Sequence, residues 1–162
     1  MVEKTRAYAA RVDIEAPLER VWAALTTTAA MERWLGAGSK INLQVGGLIA
    51  GSLDRKRPFS AHIDILLVPR RIRMIHLHPE DVPAFEGAVV DDVLVEFRDG
   101  QTIVRVLGSG FPRTDEHGAF YMQAQMGWRQ SLARLKVYLE NKLDLAPEAY
   151  VKRVISNPEE LP

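Results

Sequence analysis

The chain has 162 residues, of which 47% are hydrophobic and 26% are charged, a composition typical of one globular domain with a substantial core. Its 21 basic and 21 acidic side chains balance, which argues against a nucleic-acid-binding or anionic-membrane-binding protein. The absence of cysteine excludes disulfides, thiolate nucleophiles and cysteine–zinc clusters.

The first quarter of the chain predicts one strand followed by two short helices. Residues 5–15 alternate loosely, with apolar residues at Ala7, Ala9, Val12 and Ile14, and predict a strand. Apolar residues then recur at helical spacing and predict an amphipathic helix that carries Leu18, Val21, Trp22 and Leu25. A second short helix is expected before Gly36 and carries Met31, Trp34 and Leu35.

The middle of the chain changes to period two, with turn residues between short apolar runs. This pattern predicts six strands, at about 41–45, 48–54, 59–67, 71–78, 88–98 and 102–110. From residue 118 to 141 the period becomes helical, with an apolar stripe of Tyr121, Gln125, Trp128, Leu132, Leu135 and Leu139. Pro147 is expected to open a last short helix in the 142–162 tail.

This order of elements predicts an α+β fold. A seven-stranded antiparallel sheet with one amphipathic helix must bury one sheet face against that helix. We therefore expect the sheet to curl around the long C-terminal helix, with the two short helices after the first strand closing one end. No repeat, low-complexity tract or linker interrupts the chain, so residues 1–162 are expected to form a single domain.

Five stretches resemble the START/SRPBCC superfamily and its helix-grip (Bet v 1-like) fold. They read APLERVWAALTT (16–27), MERWL (31–35), VPRRI (68–72), DGQTIVRVLGSGF (99–111) and GWRQSLARLKVYLE (127–140). The chain is most similar to the branch named after the activator of a heat-shock chaperone ATPase, from about residue 7 to 140. Val68 departs from the family's Pro-Pro turn, His76 stands where relatives often carry an aromatic residue, and residues 142–162 lie beyond the match.

The resemblance implies a cavity between the sheet and the long helix that holds an apolar or amphipathic small molecule. Members of the superfamily bind lipids, hormones or polyketides, some are cyclases, and many have no assigned role. The resemblance therefore implies a binding site without implying one reaction, and it implies neither a cofactor nor a metal ion.

The parity of the strands predicts which face the histidines occupy. On strand 59–67 one parity is wholly apolar and should face inward, which places His62 outward; its members are Phe59, Ala61, Ile63, Ile65 and Leu67. A two-residue turn at Pro69-Arg70 would pair Ile65 with Met74 and Ile63 with His76. Because directly opposite residues share a face, the next strand is expected to turn inward Ile72, Met74, His76 and His78.

The following strand predicts a carboxylate beside these histidines. Pairing Val93 with Met74 and Val95 with Ile72 brings Asp91 opposite His76 on the inner face, a register that a one-residue slip would destroy. Four roles are open for the pair. The first is a structural ion pair at the cavity wall; the others are a ligand-orienting group, a general base in which Asp91 orients His76, and a metal site.

Other side chains are expected to complete the cavity wall or its mouth. With Met74, His76, His78 and Asp91, the predicted ligand-binding set comprises Trp34, Phe59, Phe97, Tyr121, Gln125 and Trp128. On the opposite side of the long helix, Met122, Met126 and Val137 suggest a homodimer contact.

We expect a cytoplasmic small-molecule-binding protein rather than an enzyme, with no metal or cofactor and with a hydrophobic ligand as its partner. Neither a signal peptide nor a span of about 18 apolar residues is evident, so no membrane insertion is expected. The first alternative is a cyclase or hydratase that uses His76 and Asp91. The second is a chaperone-associated domain, which is disfavoured because the branch's namesake also uses a separate N-terminal domain.

Overall fold

The chain forms one antiparallel sheet, two short helices and one long helix in the computed structural model, which describes residues 4–53 and 57–141. The elements in chain order are β1 (Thr5–Ile14), α1 (Leu18–Thr26), α2 (Thr28–Trp34), β2 (Lys40–Ile41), β3 (Leu48–Leu53), β4 (Arg57–Leu67), β5 (Arg71–His76), β6 (Val90–Arg98), β7 (Gln101–Pro112) and α3 (Gly118–Asn141). The short helix predicted after Pro147 lies outside the described residues.

The seven strands lie in the order β1-β7-β6-β5-β4-β3-β2, and every neighbouring pair is antiparallel. Strands β2 to β7 follow one another as a meander, whereas β1 pairs with β7 across nearly the whole length of the chain. The predicted α+β helix-grip fold, with two short helices after the first strand, is confirmed.

The core lies between one face of the sheet and α3. The C-terminal part of the predicted apolar stripe on α3 is buried, at Trp128, Leu132, Leu135 and Leu139. Full burial of a leucine side chain contributes roughly 1.5–3 kcal/mol, so this stripe and the facing strands account for a large part of the stability.

The two short helices close one end of this layer. Trp34 is 2% exposed, and its indole Nε1–H donates a hydrogen bond to the Ala24 carbonyl at 2.9 Å. Helix α3 is tied to the same end, because Arg20 Nη2 donates to the Leu139 carbonyl and Arg134 Nε to the Trp34 carbonyl. The opposite end of the layer faces the first half of α3 and the loop from residue 77 to 89.

The inward side of β1 does not follow the loose apolar alternation of its sequence. Ala7 and Ala9 are exposed, and the buried residues are Tyr8, Ala10 and Ile14. Side chains alternate strictly along a strand, so positions 7 and 9 do not share a face with position 14. The register shift in β1 falls between Arg6 and Tyr8, which leaves the rest of the strand regular.

The registers predicted around β5 are each wrong by two residues. Ile63 lies opposite Met74, and Ala61 lies opposite His76, because a three-residue turn at 68–70 and a bulge between Ile63 and Ile65 replace the predicted two-residue turn. The bulge also reverses the parity beyond it. Leu66 therefore packs on the core, and Leu67, which was predicted to be inward, is 56% exposed.

On the other side of β5, Met74 lies opposite Asp91 instead of Val93. A shift of two residues preserves the face of every side chain, whereas a shift of one would reverse it. Asp91 and His76 therefore share the inner face as predicted, although they are diagonal neighbours and not directly opposite.

Candidate functional site

A cavity of about 640 Å³ lies at the open end of the layer, between the sheet, the first half of α3 and the loop of residues 77–89. This volume falls within the range of about 300–1,000 Å³ that is usual for small-molecule sites. Much of its wall is apolar, including Phe59, Val89, Phe111 and Phe120. The exposed side chains of Glu80 and Asp81 lie at its rim.

One buried carboxylate organises the polar part of this wall. Asp91 is 1% exposed and accepts three hydrogen bonds from three different elements. The Tyr8 hydroxyl donates to Oδ1 at 2.6 Å, the Trp128 indole Nε1–H donates to Oδ2 at 2.9 Å, and His76 Nε2 lies 2.6 Å from the same Oδ2. Both carboxylate oxygens are thus satisfied, as a buried charged group requires.

Tyr8 reaches Asp91 across an intervening strand. Tyr8 pairs with Gly108 of β7, and Gly108 pairs with Asp91 of β6, so the three residues form one row across the sheet. A Cβ atom at Gly108 would lie 2.2 Å from Cζ of the Tyr8 ring. Glycine is therefore the residue that lets the aromatic ring lie over the backbone and place its hydroxyl on the carboxylate.

The Tyr8 hydroxyl is held as a donor. Burial raises its pKa far above the usual value, and the charge of Asp91 and the hydrogen bond to it raise the pKa further. A tyrosine with a raised pKa keeps its proton throughout the physiological range. Tyr8 therefore supplies a fixed O–H donor to Asp91, and Trp128 supplies a fixed N–H donor.

The geometry also assigns the proton on His76. Because Nε2 lies 2.6 Å from a carboxylate oxygen, Nε2 carries the hydrogen, and in the neutral ring Nδ1 is then an acceptor. The ring lies against Phe59, with centroids 5.6 Å apart, and it lines the cavity. His76 thus presents one nitrogen to the buried carboxylate and keeps the other for a different partner.

Two further imidazoles hold the 77–89 loop against the cavity. His78 Nε2 donates to the Val82 carbonyl at 2.8 Å, and His117 Nε2 donates to the Pro83 carbonyl at 2.8 Å. The Phe85 ring lies between them, with centroids 5.0 Å from His78 and 5.2 Å from His117. The loop is therefore fixed by both polar and aromatic contacts.

The structure brings together part of the predicted ligand-binding set. Phe59, His76, His78 and Asp91 line the cavity. Trp128 lies behind them and supports Asp91. Met74 is 1% exposed and packs in the core beside Asp91, so it does not itself line the cavity.

Four predicted residues lie elsewhere. Trp34 belongs to the core of the closed end, and Phe97 is 53% exposed at the far end of β6. The Tyr121 hydroxyl donates to the Ala7 carbonyl, and the Arg6 guanidinium lies 4.6 Å from its ring centroid. Gln125 is half-buried outside the lining, and Gln123 and Ala124 take that place on α3.

Tyr8 is the member of the polar cluster around Asp91 that sequence reasoning missed. Strict alternation counted back from Ile14 passes through Val12 and Ala10 to Tyr8, and this count is the signal that would have identified it. Phe111 and Phe120, which also line the cavity, carried no comparable signal.

Within residues 4–53 and 57–141, no group of three or more His, Cys, Asp or Glu side chains is arranged to hold a metal ion. The same part of the chain contains no helix that is both long and apolar enough to cross a membrane.

Several solved structures share this fold at low sequence identity. Protein MLL2253 from Mesorhizobium loti is 24% identical, covers 86% of this chain and 100% of its own, and has a TM-score of 0.71. The Aha1 dimer from Colwellia psychrerythraea is 22% identical over 83% of this chain and 96% of its own, with a TM-score of 0.67. CalU16 from Micromonospora echinospora is 20% identical over 91% of this chain and 81% of its own, also at 0.67.

No curated protein sequence matches the chain. A family profile does match, over residues 15–140, and its family is described as Activator of Hsp90 ATPase homolog 1-like protein. The match spans both short helices, strands β2 to β7 and nearly all of α3. This chain is a member of that family.

Proposed function

We propose that this protein binds a hydrophobic or amphipathic small molecule in the cavity between the sheet and α3. The observation that carries the proposal is a preorganised polar cluster, Tyr8, His76, Asp91 and Trp128, at the edge of a largely apolar cavity of about 640 Å³. Small-molecule sites commonly combine an apolar wall with a few fixed polar groups that orient the guest.

The alternative for the cluster is a purely structural ion pair. Burying a carboxylate and an imidazole is weak evidence for a stabilising role, because well-packed apolar residues often stabilise a core equally well. His76 also borders the cavity, where its second nitrogen can meet a guest. These two points favour a ligand-orienting role for the His76–Asp91 pair.

The binding proposal is tested by native mass spectrometry of the protein purified without denaturation, and by titration with the neutral dye Nile red. Ala124 lines the cavity on α3, whereas Ala119 is exposed on the same helix. We expect Ala124→Phe to weaken Nile red binding at least about ten-fold, or about 1.4 kcal/mol, and Ala119→Phe to leave it unchanged. Equal binding by both variants would contradict the proposal.

A second candidate function is acid–base catalysis, and the short His76–Asp91 contact favours it. A carboxylate that orients an imidazole is a common arrangement for a general base. The test compares the guest extracted from the wild-type protein with that extracted from a His76→Gln variant expressed in the same host. A change in the mass of the guest would indicate chemistry at His76, and identical guests would exclude this residue as the base.

Two further proposals concern protein partners. The similar Aha1 structure is a dimer, and Met122 and Met126 are 48% and 49% exposed on α3, so we propose a homodimer through this side of the helix. Light scattering of the wild type and of Met126→Glu tests it. A chaperone-associated role follows only from the family's description, and a shared fold does not fix a function.

A further inference from the structure

Carboxylates are the fixed charges along the described wall of the cavity. Three carboxylates belong to it, the buried Asp91 and the rim residues Glu80 and Asp81. Among the side chains that the structure describes, no lysine or arginine lines the cavity. Ser60 and Gln123, also on the wall, carry groups that can donate or accept.

Two histidines also line this wall. His76 uses Nε2 toward Asp91, and His78 uses Nε2 toward the Val82 carbonyl. In each case the partner is an oxygen acceptor, so the ring hydrogen is on Nε2 and the neutral ring keeps a lone pair on Nδ1. In its neutral form each imidazole therefore has an acceptor left for a guest.

If the cavity binds a small molecule as proposed, we propose that this guest is amphipathic and that its polar end donates hydrogen bonds. The polar end is positively charged or neutral, and an amine is preferred over an alcohol. A carboxylate-bearing guest such as a fatty acid is disfavoured. It would place a negative charge beside the carboxylates of Asp91 and Glu80, and no lysine or arginine on the described wall offsets these charges.

The test is isothermal titration with three probes of equal chain length, decylamine, 1-decanol and decanoate, at neutral pH. Because the apolar chain is constant, differences in affinity report the polar end. We expect decylamine to bind at least about ten-fold more tightly than decanoate, since like charges brought together oppose binding. 1-Decanol should fall between them.

A charge-matched pair of variants locates the effect. Glu80→Gln removes a rim carboxylate and should weaken decylamine binding about two- to five-fold, the usual range for an exposed ion pair. Glu32→Gln removes an exposed carboxylate on α2, which does not line the cavity, and should leave all three affinities unchanged.

The outcomes separate this inference from the proposed function on which it rests. If decanoate binds as tightly as decylamine, and Ala124→Phe weakens both, the cavity binds apolar guests but the preference for donors is overturned. If Ala124→Phe weakens the binding of none of the three probes, the proposed function and the inference are both contradicted. If decylamine is preferred, and Ala124→Phe removes this preference while Ala119→Phe preserves it, the inference and the proposed function are both supported.

Discussion

The two ends of the sheet share helix α3 but are filled in different ways. At the closed end, α3 packs Leu132, Leu135 and Leu139 beside the two short helices, and Trp34 satisfies its single polar atom on a backbone carbonyl. At the open end the same helix presents Phe120, Gln123 and Ala124 to a cavity.

The difference lies in what each end does with buried polarity. The polar side chains buried near the closed end are uncharged hydroxyls such as Thr26, Ser39 and Thr102, and each donates to a nearby backbone carbonyl while apolar side chains pack around it. The open end buries a carboxylate and satisfies it with Tyr8, His76 and Trp128, while an adjoining volume stays free of protein atoms. We infer that one end supplies stability and the other supplies the site, a division that substitutions at each end can break.

The largest effect on stability is expected at the closed end. Leu135 is fully buried, and Leu135→Ala should lower the free energy of unfolding by about 2–5 kcal/mol, because a cavity replaces packed atoms. Urea denaturation measures the loss. Nile red affinity of the folded variant should stay within the error of the wild type, and a large drop in affinity would show that the two ends are not separable.

At the open end, Gly108→Ala should lower the free energy of unfolding by about 1–3 kcal/mol, the usual range for overpacking. The added methyl would meet the Tyr8 ring and displace its hydroxyl from Asp91. A double-mutant cycle with Tyr8→Ala identifies the cause, since neighbouring residues couple. If Gly108→Ala lowers the free energy of unfolding by the same amount in the Tyr8→Ala background, contact with the Tyr8 ring does not cause the loss.

Tyr8→Phe should lower the free energy of unfolding by about 1.5–3 kcal/mol, the value of a hydrogen bond to a charged group. Its effect should depend on pH. The pKa of Tyr8 is raised in the folded protein, so its contribution is complete below the unfolded pKa of about 10 and is lost progressively as the pH rises above it.

Urea denaturation of the wild type and of Tyr8→Phe at neutral and at alkaline pH tests whether stability falls as the pH rises. Above the unfolded pKa, the wild type should lose stability more steeply with pH than Tyr8→Phe does. Parallel slopes for the two proteins would contradict a buried, protonated Tyr8.

The smallest effect on stability is expected for Ala124→Phe, because the new ring can occupy the cavity instead of displacing packed atoms. We expect a change of less than about 1 kcal/mol in the free energy of unfolding, together with the loss of Nile red binding. Ala119→Phe, on the exposed side of the helix, is the matched control. A strongly destabilised Ala124→Phe would indicate that this position is packed core and not cavity wall.

The sequence predicted the layers of the fold and the face of most strands, because hydrophobic periodicity of two or 3.6 survives register errors of two residues. For this reason His76 and Asp91 were placed on the inner face although both registers were wrong. A bulge between Ile63 and Ile65 leaves no mark in the pattern, so the exposure of Leu67 could not be foreseen.

The site was predicted less completely than the fold. Parity tells which face of the sheet a side chain occupies but not which end, so Phe97 was grouped with residues at the opposite end. Trp34 was grouped with them because it precedes the glycines of a loop, although its helix closes the other end. Tyr8 approaches Asp91 only through the pairing of β1 with β7, a contact between the two ends of the chain that local patterns do not encode.

The most direct test of the division between the two ends uses the three tryptophan side chains as reporters. Trp22 and Trp34 lie at the closed end, and Trp128 donates its indole N–H to Asp91 at the open end. In an amide- and indole-detected ¹⁵N NMR titration with 1-decanol, the indole resonances are assigned by single Trp→Phe variants. We predict that the Trp128 resonance shifts in a saturable manner while those of Trp22 and Trp34 stay in place. Equal shifts at all three, or none at Trp128, would contradict the account of the open end as a ligand site.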